Sequence, residues 1–398
     1  MNRQLIRLIP LVLPLGFAMD LYLPAIPTME QSMHTDAATL HLTMSLFLAA
    51  FGCAQIVVGP ITDRYGRRGV GLWGALIFTL ASFACSQATS VYALIGARIV
   101  QAIGACITQV VAYSIVKDSF PPQVSAPSLS FLRAWTGIAP VIAPVMGAAI
   151  LSQFGWQGCF HFLGAFGILV TLVLVYGVTE TLPPARRQHH SALALAQLFQ
   201  RMVTSSRFSL NVLSNIGAQG LLFCFFSISP FLIIRELGYS EADYSKFFAC
   251  NALAILVTGL FTGRIVERLG ANLTIQLGGI LALCGGTLML TSYGLHGLTL
   301  SGYLLPNICA ASGVVLILGP GLAEAIAPYK HNIGSATALA GFLEYIFGGI
   351  LGNILMRFPL NTPVYHGLMV VGCGGIILVC QQALRNRAKD PQWQRAAF

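Results

Sequence analysis

The sequence predicts an all-α polytopic membrane protein, with about twelve transmembrane helices in two six-helix bundles and both termini in the cytoplasm. Its composition carries this prediction: 56% of the 398 residues are hydrophobic and only 9% are charged, which is outside the usual range of soluble globular domains. A helix crosses a bilayer with about 20 apolar residues, so a chain of this length has room for about twelve crossings. Helices are expected because unpaired backbone groups are too costly in lipid.

The predicted helices are successive apolar segments joined by short connections. The start of the first helix imitates a signal peptide, since Arg3 and Arg7 precede an apolar run. No small-residue cleavage site ends that run, so we expect it to remain as an uncleaved helix. In chain order, the helices are expected at 6–28, 39–59, 69–88, 91–114, 124–150, 157–178, 208–234, 243–263, 272–292, 297–319, 332–356 and 364–385.

The formal net charge of +9 follows from this topology. With the N-terminus inside, all but five of the 22 basic residues fall in cytoplasmic segments; the exceptions are Arg98 and Arg133 within helices, and Arg235, Lys246 and Arg357 outside. Basic residues concentrate on the cytoplasmic side of membrane proteins. The basic composition therefore indicates topology and no nucleic-acid partner.

A polar stretch from Glu180 to Arg207 divides the chain near its middle. It contains two adjacent prolines and four arginines, and its segment 191–202 predicts a short amphipathic helix at the cytoplasmic face. Six predicted helices precede the stretch and six follow it. The predicted domains are an N-terminal six-helix bundle over 1–180, a cytoplasmic linker over 181–207 and a C-terminal six-helix bundle over 208–398.

The most densely charged segment is Gly59–Arg68, which we expect to form a cytoplasmic loop between the second and third helices. Asp63 at a cytoplasmic helix end can pair with an arginine or with backbone groups of a neighbouring helix in one conformation and release them in another. A plain topogenic cluster is the alternative. A weaker copy at 263–270 follows the eighth helix, and a repeat at six-helix spacing indicates two bundles that rock about a central site.

This loop resembles the signature G-P-x-x-D-R-x-G-R-R, which the major facilitator superfamily carries between helices 2 and 3. The resemblance implies a conformational gate at the cytoplasmic side. The matching residues are Gly59, Pro60, Asp63, Arg64, Gly66, Arg67 and Arg68.

Asp20 lies well inside the first predicted helix. A carboxylate at this depth is expensive in a bilayer, so it is expected to face a cavity and to hold a proton or a partner. The segment Asp20–Pro27, D-L-Y-L-P-A-I-P, resembles an element of the bicyclomycin-resistance (Bcr/CflA) type of drug:proton antiporters. The resemblance implies that Asp20 couples protons to substrate. A helix-capping or kink role beside Pro24 is the alternative.

Arg98 opens the segment Arg98–Ala105 of the fourth predicted helix, R-I-V-Q-A-I-G-A. This segment is similar to the R-x-x-Q-G-x-G-A motif of proton-coupled exporters, except that Ala102 replaces the first glycine. A permanently charged guanidinium on a cavity-facing helix can help a nearby carboxyl group to discharge its proton. Arg98 is therefore a candidate switch partner of Asp20, unless it snorkels to an interface.

The fifth predicted helix carries two prolines four residues apart within Gly137–Gly147. This segment resembles the exporter-specific element of the superfamily, and its A-P-x-x-A-P-x-x-G form is close to the Bcr/CflA type. Proline kinks and small residues are expected to let the helix pack closely on its partner in the other bundle and seal the periplasmic side. The resemblance implies export rather than uptake, with gate residues Gly137, Pro140, Pro144 and Gly147.

Two further charged residues lie within predicted helices. Arg133 is expected to point to the aqueous cavity or to the domain interface. Glu344, on the eleventh helix, is a second intramembrane carboxylate, and three roles stay open for it: a proton site, a contact for a cationic substrate, or the salt-bridge partner of Arg133. The candidates for an amphiphilic substrate cavity are Asp20, Tyr22, Arg98, Gln101, Arg133, Asn215, Gln219, Asn307 and Glu344. The alternative for the uncharged residues is that they form hydrogen bonds that hold neighbouring helices together.

The resemblance covers the whole chain and implies the major facilitator fold. It also implies a proton-coupled antiporter that exports small organic molecules such as drugs by alternating access. We expect a multi-pass monomer in the inner membrane whose partners are its small-molecule substrate, protons and the lipid bilayer. No cofactor and no metal are expected, because the proton gradient supplies the energy and the histidines show no ligand spacing. The sequence has no G-x-x-x-x-G-K-[ST] loop for a nucleotide.

Two alternatives to drug export stay open. An exporter of a specific anionic metabolite, such as a carboxylate siderophore, would fit two buried arginines against two buried carboxylates, which leave no excess negative charge in the cavity. A transporter-like membrane receptor or sensor belongs to another class, but the sequence shows no soluble signalling domain. An enzyme is not expected, because the sequence holds no H-E-x-x-H or G-x-S-x-G site.

Overall fold

The computed structural model describes residues 3–186, 192–329, 332–359 and 362–388. Within these ranges the regular secondary structure is helical throughout. The α-helices are α1 (Arg3–Val12), α2 (Pro14–Asp20), α3 (Ile26–Ser32), α4 (Ala37–Tyr65), α5 (Arg67–Ser86), α6 (Val91–Ser119), α7 (Pro122–Leu172), α8 (Ala192–Thr204), α9 (Ser206–Pro230), α10 (Glu241–Leu269), α11 (Ala271–His296), α12 (Leu300–Ile326), α13 (Ile333–Leu355) and α14 (Val364–Ala388).

Eleven segments within the described ranges are long and apolar enough to cross a membrane. One of them, Phe131–Gly177, has 47 residues, whereas a single crossing needs about 20. Gly155 interrupts its helical backbone with φ 67° and ψ −177°, a conformation that glycine adopts without steric cost. The interruption falls between the predicted helices 124–150 and 157–178. The described residues therefore contain twelve crossings, and the predicted all-α architecture is confirmed.

The first crossing is interrupted, whereas the sequence predicted one continuous helix over 6–28. The chain passes through α1, α2, a short 3-10 turn at Leu23–Ala25 and then α3. The cause is local, because Pro14, Pro24 and Pro27 each lack the N–H that would bond to the carbonyl four residues earlier. The second break directly follows Asp20, which is the last residue of α2.

The predicted loop at Gly59–Arg68 is mostly helical, which corrects the sequence-based expectation. Helix α4 continues to Tyr65 and α5 begins at Arg67, so Gly66 alone separates them. Gly66 has φ 95°, which most side chains would disfavour. The weaker copy of the motif repeats this geometry, since Gly270 between α10 and α11 has φ 81°.

The chain forms two compact units. One comprises the described residues of Met1–His190 together with Ser240–Ala249, and the other comprises those of Ser191–Tyr239 together with Cys250–Phe398. The first unit thus contains α1 to α7 and the start of α10. The second contains α8, α9, the rest of α10 and α11 to α14.

Each unit is held together by closely packed helices. In the first unit, a side chain at Gly104 of α6 would overlap the backbone of Phe78 of α5, so the glycine permits this close approach. In the second unit, the linker helix α8 buries Met202 beside Phe208 and Val212 of α9. Residues 187–191 of the predicted linker and 389–398 of the predicted C-terminal bundle lie outside the described residues. The role of 181–207 as a separate linker stays a prediction.

Candidate functional site

Asp20 occupies the break in the first crossing. Its side chain is only 2% exposed, and Oδ1 has no hydrogen-bond partner among the described residues. Pro24 has no N–H, so the Asp20 carbonyl also lacks the donor that a continuous helix would supply. An ionised carboxylate buried without a partner is costly, so this environment accommodates the neutral, proton-bearing form.

Arg98 of α6 lies beside this break and is 0% exposed. Its Nη1 donates to the Ala18 carbonyl oxygen at 2.8 Å and to Gln101 Oε1 at 2.7 Å. The central carbon of the guanidinium lies 4.7 Å from the centre of the Tyr22 ring and 4.1 Å from that of the Phe47 ring. These contacts fix the guanidinium between two aromatic faces and two neutral oxygens.

A set of polar contacts fixes the groups around Arg98. The Tyr22 hydroxyl lies 3.1 Å from Thr43 Oγ1, and Gln101 Nε2 donates to Ser82 Oγ at 2.8 Å. All four of these side chains are buried. The structure therefore brings the predicted residues Tyr22, Gln101 and Arg98 together around the segment that ends in Asp20.

Sequence reasoning missed Thr43, Phe47 and Ser82. Thr43 and Phe47 are four residues apart on α4 and so share one face of that helix. That spacing was the only available signal, because threonine and phenylalanine are ordinary residues in an apolar helix. Ser82 gave a weaker signal still, as a single hydroxyl in α5.

The predicted exporter element of α7 packs against the broken first crossing. A side chain at Gly16 would overlap the β-carbon of Ala139, and a side chain at Gly147 would overlap the Leu21 carbonyl oxygen. Both contacts lie within the first unit and flank Asp20 in sequence. In the same unit, Ser245 Oγ donates to the Pro144 carbonyl oxygen at 2.9 Å. Sealing of the periplasmic side by this element stays a prediction.

The predicted gate residues form a polar cluster at one end of the first unit. Arg67 Nη1 lies 2.6 Å from Asp63 Oδ1, and Arg67 Nε lies 2.8 Å from Asp118 Oδ2. Arg67 Nη1 also donates to Thr62 Oγ1 at 2.9 Å. Arg64 is exposed and its guanidinium lies 5.1 Å from the Tyr65 ring centre. Asp118 was not singled out from the sequence, because it is a lone acid at the end of an apolar helix.

Glu180 is a second member of this cluster that sequence reasoning missed. Its Oε1 accepts the backbone N–H of Arg67 at 2.9 Å and its Oε2 accepts that of Arg68 at 3.1 Å. Burial opposes the charged form, but the backbone N–H groups of Leu182, Arg67, Arg68 and Thr181 outweigh it and lower the pKa of Glu180. The carboxylate therefore caps the N-terminus of α5, where Gly66 offers no side chain.

Arg68 also belongs to this cluster, and its side chain donates hydrogen bonds to backbone carbonyl groups. Its Nη2 donates to the Val175 carbonyl oxygen at 2.7 Å and its Nε to that of Leu174 at 3.2 Å. These carbonyls belong to the π-helical turn Val173–Gly177 that ends the crossing after Gly155. The start of α5 and the end of that crossing thus satisfy each other's terminal backbone groups.

The second unit holds the other predicted carboxylate. Glu344 Oε1 of α13 accepts a hydrogen bond from Asn215 Nδ2 of α9 at 2.9 Å, and the same nitrogen donates to the Leu318 carbonyl oxygen at 3.1 Å. Gln219 follows Asn215 by one turn of α9 and so lies on the same face. Elsewhere in this unit, Asn307 Nδ2 donates to Asn251 Oδ1 at 3.1 Å.

Arg133 is not part of the Asp20 cluster. It belongs to the first unit, is exposed, and its guanidinium lies 6.0 Å from the centre of the Tyr113 ring. Glu344 belongs to the second unit. Their predicted salt bridge stays a prediction.

Known proteins resemble this chain over most of its length. The family described as the Major Facilitator Superfamily matches residues 8–353. The multidrug resistance protein MdtL of Citrobacter koseri is 31% identical, over 98% of this chain and 97% of the relative. The chloramphenicol resistance protein of Pseudomonas aeruginosa is 29% identical, over 89% and 84%. Among solved structures, a D-xylose-proton symporter with 16% identity superposes with a TM-score of 0.72, over 94% of this chain and 96% of the other.

Proposed function

Because the chain belongs to the major facilitator superfamily, we propose that it exports small organic molecules, drugs among them, in exchange for protons. As a member of this superfamily it is a multi-pass transporter of the inner membrane and not an enzyme. The class of cargo is supported by two relatives, which are named for multidrug and chloramphenicol resistance. The proposal includes a monomeric state and no cofactor beyond the proton gradient.

The observation that carries proton coupling is the buried Asp20 carboxyl in an interrupted helix. Interrupted membrane helices with an ionisable group at the break are typical of substrate and ion sites in transporters. Arg98 contacts Ala18 and Tyr22, on either side of Asp20 in sequence. In this proposal, Arg98 becomes the partner of Asp20 once that carboxyl group loses its proton.

The proposed cycle uses these groups in order. Substrate entering from the cytoplasm takes the place of the proton on Asp20, and the loaded transporter changes to its outward-open form. Protons from the periplasm then reload Asp20 and reset the transporter. In this scheme Tyr22 and Gln101 line the substrate path with Asp20, and Asn215, Gln219, Asn307 and Glu344 line it in the second unit, as does Arg133 in the first.

The proposed gate consists of two sets of residues in the first unit. The cytoplasmic set is the Arg67–Asp63–Asp118 cluster with Arg64, Arg68, Gly59 and Gly66. The second set is the exporter element, with Gly137, Pro140, Pro144 and Gly147. The support for this assignment is geometric. Arg67 joins the ends of α4 and α6 through Asp63 and Asp118, and the exporter element packs against the break in the first crossing.

The decisive experiment measures proton movement in proteoliposomes that contain the purified protein and a pH-sensitive dye. Chloramphenicol and tetraphenylphosphonium, added separately, should each evoke proton movement if they are substrates, and Asp20→Asn should abolish it. Asp36→Asn is the matched control, since Asp36 caps α4 through the Thr39 N–H at 3.0 Å and asparagine keeps that cap. Drug-evoked proton movement that persists in Asp20→Asn would refute the proposed coupling site.

A further inference from the structure

Arg98 is a buried cation without a carboxylate partner in the described part of the chain. It is 0% exposed, and its hydrogen bonds go to the oxygens of Ala18, Gln101, Thr43 and Tyr22 and to the sulfur of Met19. Neutral acceptors compensate only part of the cost of removing a charge from water. Another source of stabilisation for this charge is therefore needed.

Two aromatic faces supply it. The guanidinium carbon lies 4.1 Å from the centre of the Phe47 ring and 4.7 Å from the centre of the Tyr22 ring. Both rings are 0% exposed, so no water weakens the attraction between the cation and the ring electrons, which is strongest in desolvated sites. Phe47 is the nearer ring and carries no polar group of its own.

We propose that Phe47 is a positioning residue of the proton-coupling site, which with Tyr22 forms an aromatic clamp that stabilises the Arg98 charge while Asp20 holds its proton. This inference rests on the proposed function and extends it to a residue that no motif contains. The clamp gives Arg98 a second stable arrangement besides an ion pair with Asp20. Arg98 can then leave Asp20 at proton loading and return to it at proton release.

The surroundings of Arg98 define what else could hold its charge. The ionisable groups that interact with it electrostatically are the Tyr22 hydroxyl and the Cys85 thiol of α5. His41 is buried on α4, the helix that carries Phe47. None of these groups is a carboxyl group; Asp20 is the carboxyl group in the segment between Ala18 and Tyr22, both of which Arg98 contacts. Loss of the clamp should therefore favour a lasting ion pair between Arg98 and Asp20, which would slow the proton cycle.

A double-mutant cycle tests whether the clamp exists. Phe47→Leu in detergent-purified protein should lower the melting temperature by about 3 °C, and the same substitution should have little effect when Arg98→Met has already removed the cation. Phe51→Leu is the matched control, because Phe51 lies one turn further along α4 and is equally buried. Its effect should be the same with and without Arg98. An equal loss from Phe47→Leu in both backgrounds would overturn the proposal.

The functional arm uses chloramphenicol-evoked proton movement in proteoliposomes. Phe47→Leu should lower the maximal rate about tenfold while the half-saturating drug concentration changes little, and Phe47→Tyr, which keeps the ring, should restore the rate. If Phe47→Tyr is as slow as Phe47→Leu, or if neither is slow, Phe47 has only a packing role. If the unmodified protein shows no drug-evoked proton movement with any probe, the proposed function fails, whereas the melting cycle still decides whether the clamp exists.

Discussion

The two carboxyl groups proposed to face the transport path are held in different ways. Asp20 has an oxygen without a partner in the described structure, whereas Glu344 accepts a hydrogen bond from Asn215. Asn215 is itself oriented by the Leu318 carbonyl and packs directly on Gly321 of α12. A neutral amide orients a carboxyl group without offsetting its charge, so a cationic ligand can supply the partner that the ionised form needs. We therefore expect Glu344 to contact cationic substrates.

Glu344→Gln tests this expectation, because glutamine keeps an oxygen that Asn215 can bind and removes only the charge. Affinity for tetraphenylphosphonium should fall about tenfold, since a charge–charge attraction in a partly dry site is lost. Affinity for uncharged chloramphenicol should change less. Ligand-dependent fluorescence in detergent measures both. Glu324→Gln is the control, as Glu324 pairs with Arg207 at 2.8 Å. Equal losses for both ligands would contradict the assignment.

Residues of the site were predictable from sequence where their type is unusual for a membrane helix. Asp20 and Arg98 stand out because charges are rare at this depth, and a motif adds Gln101. Phe47 and Ser82 could not be predicted, because their residue types are common in apolar helices. Their role arises only from packing against Arg98 and Gln101, which lie far away in sequence.

At the scale of elements, the number of crossings follows from apolar length, but the interruptions follow from local chemistry. At the break after Asp20, Pro24 removes a backbone hydrogen bond and α7 packs tightly against the segment. The prolines were visible in the sequence, whereas the contact of Gly147 with the Leu21 carbonyl was not. The same reasoning explains the gate segment, where charge density suggested a loop but a single glycine makes the turn.

Gly147→Ala should displace the broken segment that carries Asp20. The added methyl group would overlap the Leu21 carbonyl oxygen, and the overlap in a packed core costs about 1–3 kcal/mol. We expect a lower melting temperature and a loss of drug-evoked proton movement larger than the loss of drug binding.

Gly96→Ala provides the comparison for this prediction. A β-carbon at Gly96 of α6 would enter open space, and alanine favours a helix over glycine by about 1 kcal/mol. Its melting temperature should therefore stay the same or rise. Wild-type proton movement in Gly147→Ala would show that the break does not depend on this contact.

At the scale of the whole molecule, the sequence repeat is matched in backbone but not in side-chain chemistry. Gly66 and Gly270 make the same turn. In the first unit, Glu180 and Arg68 tie that turn to the end of the crossing after Gly155 and to the segment that follows it, and the Arg67–Asp63–Asp118 cluster ties it to the end of α6. Glu267, which takes the place of Asp63 in the weaker copy, is exposed. The repeat thus supplies the helix pair in both units, and the charge network links helix ends within the first unit.

Glu180→Gln should weaken this network, because an amide nitrogen replaces one of the oxygens that accept the Arg67 and Arg68 N–H groups. Glu180 is exposed, so the melting temperature should fall by only about 1–2 °C at pH 7, with a severalfold slower exchange of drug for protons.

Because folding lowers the pKa of Glu180, its stabilising contribution is present above the unfolded pKa of about 4.3 and disappears as the pH falls further. The difference in melting temperature between wild type and Glu180→Gln should therefore shrink below about pH 4. Glu267→Gln, at the place in the repeat that corresponds to Asp63, removes an exposed carboxylate and should alter neither quantity. A difference between wild type and Glu180→Gln that is constant from pH 7 to pH 3.5 would exclude the cap as its cause.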